Sequence, residues 1–276
     1  MKQKSNRPLN KGKYGKNIGE RDECLCKIKL ISLRDKGNGK ILRGEKIESV
    51  GFDEEYPTLS NEVNISRLNE YSDEELRTIA DIHNISKSPP YAKADIYINK
   101  IPFSIKSNRG APAAIVNTTR RDGFEFVAEQ TDFDIKILDK LIDEYWLKRL
   151  NGEISQDIKN SDIKSPFRNS KNELKDVINF FFFDGTGSKL SSHPSKRILT
   201  FDNPLVLKTY NLYNKENLID IVWDKLIFSL RGRYLMKRGY PGNMSKKLEN
   251  KKASIALWTR FINNKYKGEL HIRLNK

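Results

Sequence analysis

Residues 93–107 admit few conformations: Lys-Ala-Asp-Ile-Tyr-Ile-Asn-Lys-Ile-Pro-Phe-Ser-Ile-Lys-Ser. Ile96 and Ile98 alternate with other residues before Asn99-Lys100, and Ile101, Phe103 and Ile105 alternate after it. Period-two patterning on either side of two turn residues predicts a β-hairpin. A two-residue loop pairs Ile98 with Ile101 and sets Asp95 opposite Ser104. Lys106 then shares the face of Asp95, at a diagonal position that a long side chain can span. A carboxylate, a hydroxyl and an ammonium therefore project together from a hairpin whose other face is apolar. Such a set suits a hydrated divalent cation and a phosphate.

The charge balance agrees with a polyanionic partner. Among 276 residues, 51 Lys and Arg face 36 Asp and Glu, a formal net charge of +15. A basic surface attracts nucleic acid by releasing condensed counterions. A bias toward Lys, Asn and Ile in codon usage produces the same composition without any such partner. No apolar run approaches membrane-spanning length, and the first residues lack the apolar stretch of a signal peptide. Cys24 and Cys26 are the only cysteines, which leaves neither a disulfide framework nor a four-cysteine zinc site. Packing within a strand-like segment from Cys24 to Leu33 is their expected role, and a reducing cytoplasm the expected compartment.

Along the chain, residues 1–22 read as a flexible basic arm, either lying along a nucleic-acid backbone or simply solvated. Residues 23–223 read as the core and 224–276 as a basic C-terminal region, as part of the same globular unit. Lys27 to Leu33 looks like a strand, and Lys36-Gly-Asn-Gly39 like a turn before a short strand near Ile41. Glu62 to Leu68 and Asp73 to His83 read as helices, the second opened by a capping box of Ser72 and Glu75. Leu76, Ile79, Ala80 and Ile82 are spaced for one buried face of that helix. Phe133 to Leu150 carries the clearest helical stripe, with Gly152 suited to its C-terminal cap. Val177 to Phe183 is apolar enough to be buried on both sides, as in a central strand. Asp184-Gly-Thr-Gly then forms a turn rich in backbone donors, a weak signal for phosphate.

Between Asp224 and Arg273 there are 13 Lys or Arg and three acids, interleaved with Tyr234, Tyr240, Trp258, Phe261 and Tyr266. Basic residues among aromatics favour backbone contacts with stacking. An amphipathic helix with a solvated basic side and Trp258 and Phe261 in the core explains the pattern equally. Arg231, Arg233, Lys237 and Arg238 are the candidate DNA contacts of this region. Arg109, Arg120 and Arg121, which follow the hairpin, are candidates for clamping phosphates or reading guanine, or are solvated loop residues. His83, His193 and His271 are scattered without metal-ligand spacing and read as structural.

Phosphodiester hydrolysis requires a polarised phosphate oxygen, an in-line water and relief of developing charge. Asp95 would ligate Mg²⁺, and Lys106 would contact the scissile phosphate and orient or deprotonate the water. Ser104 would bind a metal-bound water or a phosphate oxygen. One carboxylate is a thin Mg²⁺ site, so a second acid is expected. Glu62 on the preceding helix is the first candidate, with Glu75 and Glu129 behind it.

Asp95, eight intervening residues and then Ser104-Ile-Lys106 resemble the PD-(D/E)XK nuclease core of type II restriction endonucleases. The run from Ser104 to Asn117 and the later Phe-Phe-Phe-Asp184-Gly-Thr-Gly are also similar to segments of such enzymes. The resemblance spans roughly Leu76 to Ile198. It implies an α/β fold with a central mixed β-sheet flanked by helices, Mg²⁺ dependence and cleavage of double-stranded DNA. Ala94 stands at the family's proline and Ser104 at its second acid; some members take that acid from a neighbouring helix. A restriction-modification role further implies a homodimer at palindromic targets and a cognate DNA methyltransferase as genetic partner. Two other readings remain open: a non-catalytic basic DNA- or RNA-binding protein with a purely structural hairpin, and a repair or RNA nuclease of the same fold.

Overall fold

A computed structural model describes residues 17–35, 42, 44–52, 55–60, 62–89, 91–232 and 256–275. Its elements begin with α1 (Ile18–Asp35), β1 (Val50–Gly51), α2 (Asp73–Ile82), β2 (Ile96–Ile98), β3 (Ile101–Ser107) and β4 (Ala113–Thr119). Next come α3 (Arg121–Gln130), α4 (Ile135–Leu150), β5 (Ile158–Lys159), α5 (Lys171–Asn179), β6 (Gly185–Thr186) and β7 (Lys189–Leu190). The chain continues through β8 (Arg197–Phe201), β9 (Asn211–Asn214), α6 (Leu218–Val222), β10 (Leu226–Arg231), β11 (Arg260–Ile262), β12 (Lys265–Lys267) and β13 (Glu269–Leu274).

These elements form two compact units: 1–111 with 192–213, and 112–191 with 214–276. Neither division falls at 22 or 223, the boundaries expected from composition. Residues 112–191 are inserted in the chain between β3 and β8, which pair directly in the first unit. The protein is thus α/β with a mixed central sheet and helices.

In the first unit the sheet order is β1-β2-β3-β8-β9. β2 and β3 form the expected hairpin, with Ile98 opposite Ile101 and Ile96 opposite Phe103. Asn99 and Lys100 both have positive φ, 50° and 62°, the signature of a type I′ turn. The Asn99 side chain accepts from the Glu48 and Ser49 amides and donates to the Lys46 carbonyl, which ties the turn to the approach of β1. β3 pairs antiparallel with β2 and parallel with β8, making it a central strand. Its residues from Pro102 to Ile105 are accordingly all buried, where an apolar face and an open polar one were expected.

The core of this unit joins Leu25, Ile28 and Ile31 of α1 to Ile96, Ile98, Phe103 and Ile105 of the hairpin and to Leu199 and Phe201 of β8. The strand read over Lys27 to Leu33 is therefore the middle of α1, an 18-residue helix. Cys24, Leu25, Cys26, Ile28, Leu30 and Ile31 are all buried, so the helix has no wide polar face to reveal its period. Its start at Ile18 also takes five residues from the expected arm. Cys24 and Cys26 are free and buried in this helix, and burial pushes both thiols up to about 12.

α2 matches its reading. Ser72 accepts from the Glu75 amide, Glu75 accepts from the Ser72 amide, and Leu76 and Ala80 are buried. Glu62 to Leu68 is not an α-helix; only Ile65–Arg67 forms a 3₁₀ turn, capped by Asn64.

In the second unit a sheet of order β4-β13-β10-β5 is accompanied by α3 to α6. α4 ends with Gly152 at φ +73°, where its amide bonds the Arg149 carbonyl and that of Glu153 bonds Lys148. This is the expected left-handed cap. The Val177–Phe183 run is not a strand: it completes α5 and continues as a π-helical turn over Phe180–Asp184. Of the aromatics near the C-terminus, Trp258 is buried and Phe261 exposed. Among the described residues no helix is long and apolar enough to cross a membrane.

Candidate active site

Asp95 lies in the bend just before β2, so strand alternation alone does not set its direction. Four groups orient it. Its Oδ2 accepts from the Ile105 amide at 2.7 Å and from Ser104 Oγ at 3.2 Å, and its Oδ1 accepts from Ser88 Oγ at 3.0 Å. Its own amide donates to the Phe103 carbonyl at 2.7 Å, which fixes the backbone in the hairpin register. The preceding amides of Lys93 and Ala94 both bond the His193 carbonyl at 3.0 Å.

Lys106 Nζ stands 3.9 Å from Asp95 Oδ2 and keeps about a third of its side chain exposed. The hairpin therefore brings Asp95, Ser104 and Lys106 together as their spacing requires. Ser104, however, is only 2 % exposed and spends its hydroxyl on Asp95. Direct contact with water on a metal or with a phosphate gives way to orientation of the carboxylate.

A further acid in the field of this pair, Glu23, lies on α1. Burial raises the Glu23 carboxyl above its ordinary range; Lys27 opposes this, the Asp95 carboxylate adds to it and Lys106 opposes it. Glu23 thus sits within the electrostatic field of the two residues that define the hairpin site. Lys27, one helical turn on, donates to Glu23 at 2.7 Å and to the Ser86 carbonyl at 3.1 Å. Sequence reasoning missed Glu23 because it read the residues before it as an arm and those after it as a strand. A helical reading would have exposed the Glu23–Lys27 pair at i,i+4.

Glu62 is not part of this constellation. It lies in an exposed turn and lines a separate groove with Val63, Tyr71, Glu75, Ile79 and His83. Glu75 is committed to its helix cap, and Glu129, in α3, belongs to the second unit.

The candidate DNA-contacting arginines are largely engaged inside the protein. Arg109 Nε donates to Asp22 Oδ2 at 2.9 Å and its Nη2 to Asp22 Oδ1, while Ser107 Oγ donates to the same carboxylate. This clamp fastens α1 beside the end of β3, one residue from Glu23. In the second unit Arg121 is buried against Asp139 and Glu125, Arg120 pairs with Asp122 at 3.3 Å, and Arg231 stands 3.6 Å from Asp157. Arg233, Lys237, Arg238, the Lys36–Gly39 turn, the Ile41 strand and the first 16 residues of the arm lie outside the described residues.

The Asp184-Gly-Thr-Gly turn has a packing explanation. A Cβ on Gly187 would meet Thr119 Cγ2 at 2.5 Å and the Gly123 Cα at 3.2 Å, so the glycine permits a close backbone approach. Asp184 itself pairs with Lys215.

Among the described residues no group of three or more His, Cys, Asp or Glu side chains is arranged to hold a metal ion. Mg²⁺ is commonly held by one or two carboxylates, with water and substrate phosphate completing its shell. Asp95, aimed by Ser88, Ser104 and the Ile105 amide, and Glu23 on α1 are the acids that would hold such an ion. No protein-family model, curated protein or solved structure matches the chain.

Proposed function

We propose that this chain is a Mg²⁺-dependent, sequence-specific endonuclease of the PD-(D/E)XK type, cleaving double-stranded DNA as type II restriction enzymes do. The observation that supports it is the pairing of Asp95 with Lys106 at 3.9 Å on the hairpin, with Glu23 of α1 in their field; that helix would supply the acid missing at Ser104. A mixed sheet with the acid and the lysine at one hairpin is compatible with the restriction-endonuclease-like fold.

Asp95 and Glu23 would hold the ion, whose chemistry is to polarise a nonbridging phosphate oxygen and offset charge in the transition state. Ser88, Ser104 and the Ile105 amide keep the Asp95 carboxylate aimed, so little reorganisation accompanies reaction. Lys106 contacts the scissile phosphate and holds the attacking water by hydrogen bond at its ammonium. The +15 charge of the chain draws DNA to the site. A palindromic target requires one such site per strand, so the acting species is a homodimer.

Purified protein should cut plasmid DNA into discrete fragments with Mg²⁺, and Asp95→Ala, Lys106→Ala and Glu23→Gln should each lower the rate at least about a hundredfold. Undiminished cutting by all three variants would remove the site assignment. Salt-sensitive binding without scission would instead identify a nucleic-acid-binding module, and random fragments a repair-type nuclease.

A further inference from the structure

We infer that Lys27 is a resident cation standing in for a second divalent ion, so that the site takes one divalent ion per chain. This rests on the metal-dependent reading of Asp95 and Glu23. Lys27 is 4 % exposed at its side chain, although α1 is otherwise buried through apolar residues over most of this stretch. A buried ammonium is costly unless it is paired and hydrogen-bonded. Both conditions are met here by Glu23 at 2.7 Å and the Ser86 carbonyl at 3.1 Å. Lys27 and Asp95 also line the same small cleft, together with Ser86 and Ile96.

The charges explain the stoichiometry. Glu23 and Asp95 contribute two negative charges, and Lys27 and Lys106 already balance them. One dication is then offset in part by the phosphate it attends; a second would crowd against two ammonium groups at short range. Two-metal sites hold their ions about 3.5–4 Å apart between shared acidic ligands. Here one of only two carboxylates is engaged by Lys27, and among the described residues no third His, Cys, Asp or Glu joins them. Lys27 therefore acts through Glu23 as a positioning residue and a fixed positive charge.

The test is the number of Mn²⁺ ions bound by the full-length protein without DNA, counted by electron paramagnetic resonance. Wild type should bind one ion, lost in Asp95→Asn. Lys27→Met should bind two, and Lys27→Arg one. Two Asp95-dependent ions on wild type would overturn the inference while leaving the metal site intact, as would one ion of unchanged affinity on folded Lys27→Met. Binding unaffected by Asp95→Asn, or none at all, would overturn the metal reading and the inference with it. Should Lys27→Met fail to fold, Lys27→Gln decides: it should bind two ions, and one ion of unchanged affinity would overturn the inference.

Discussion

Arg109 forks onto the carboxylate of Asp22, whose side chain is wholly buried, and so bolts the helix that carries Glu23 to the end of the strand that carries Lys106. Breaking a buried pair from one side leaves the other charge stranded. Arg109→Ala should therefore cost about 3 kcal/mol of stability. Replacing both partners, Asp22→Asn with Arg109→Met, should recover much of the loss. Denaturant midpoints of the three proteins check this; a double variant no better than Arg109→Ala alone would contradict it.

Ser104 orients Asp95 without facing solvent, and the Ile105 amide supplies a shorter bond to the same oxygen. Ser104→Ala should cost about 1 kcal/mol of stability and less than about tenfold in cleavage rate. A loss as large as that of Asp95→Ala would mean that the hydroxyl touches the reacting groups after all.

At Lys100 the backbone holds φ at +62°, a region that glycine enters without steric cost. Lys100→Gly completes the Asn-Gly pair favoured by type I′ turns. It should stabilise the protein by about 0.5 kcal/mol, the relief of strain exceeding the added chain entropy. A lower melting temperature would show that the Lys100 side chain contributes more than its backbone costs.

His271 on β13 is buried, and burial followed by the Arg231 and Arg273 charges lowers its pKa to about 4. Its Nδ1 accepts from the Thr118 amide at 3.3 Å, so the ring is held neutral. The unfolded chain takes up this proton near 6.5 and the folded chain only near 4. Stability from this group is present above pH 6.5 and declines as pH falls from 6.5 to 4. The stability difference between wild type and His271→Gln, measured by denaturant unfolding at pH 7, 5.5 and 4.5, should shift toward the variant on acidification. A difference independent of pH would exclude this coupling.

Elements whose instructions are local can be read directly from the chain. Alternation around Asn99-Lys100 sets a register that only a one-residue slip could change, and a slip would turn Ile96, Ile98, Phe103 and Ile105 out of the core. Ser72 with Glu75, and Gly152 after α4, satisfy helix ends with groups a few residues away. Asp95, Ser104 and Lys106 were legible as a constellation for the same reason. The remaining elements depend on long-range packing. Cys24 to Ile31 is apolar on nearly every side, so no period separates helix from strand until the segment packs on the hairpin and β8. Phe180 to Phe183 has the same ambiguity and resolves as a helical turn. Glu23 enters the field of Asp95 across 71 intervening residues, and Arg109 bonds Asp22 across 86, relationships that arise only once α1 lies beside β3.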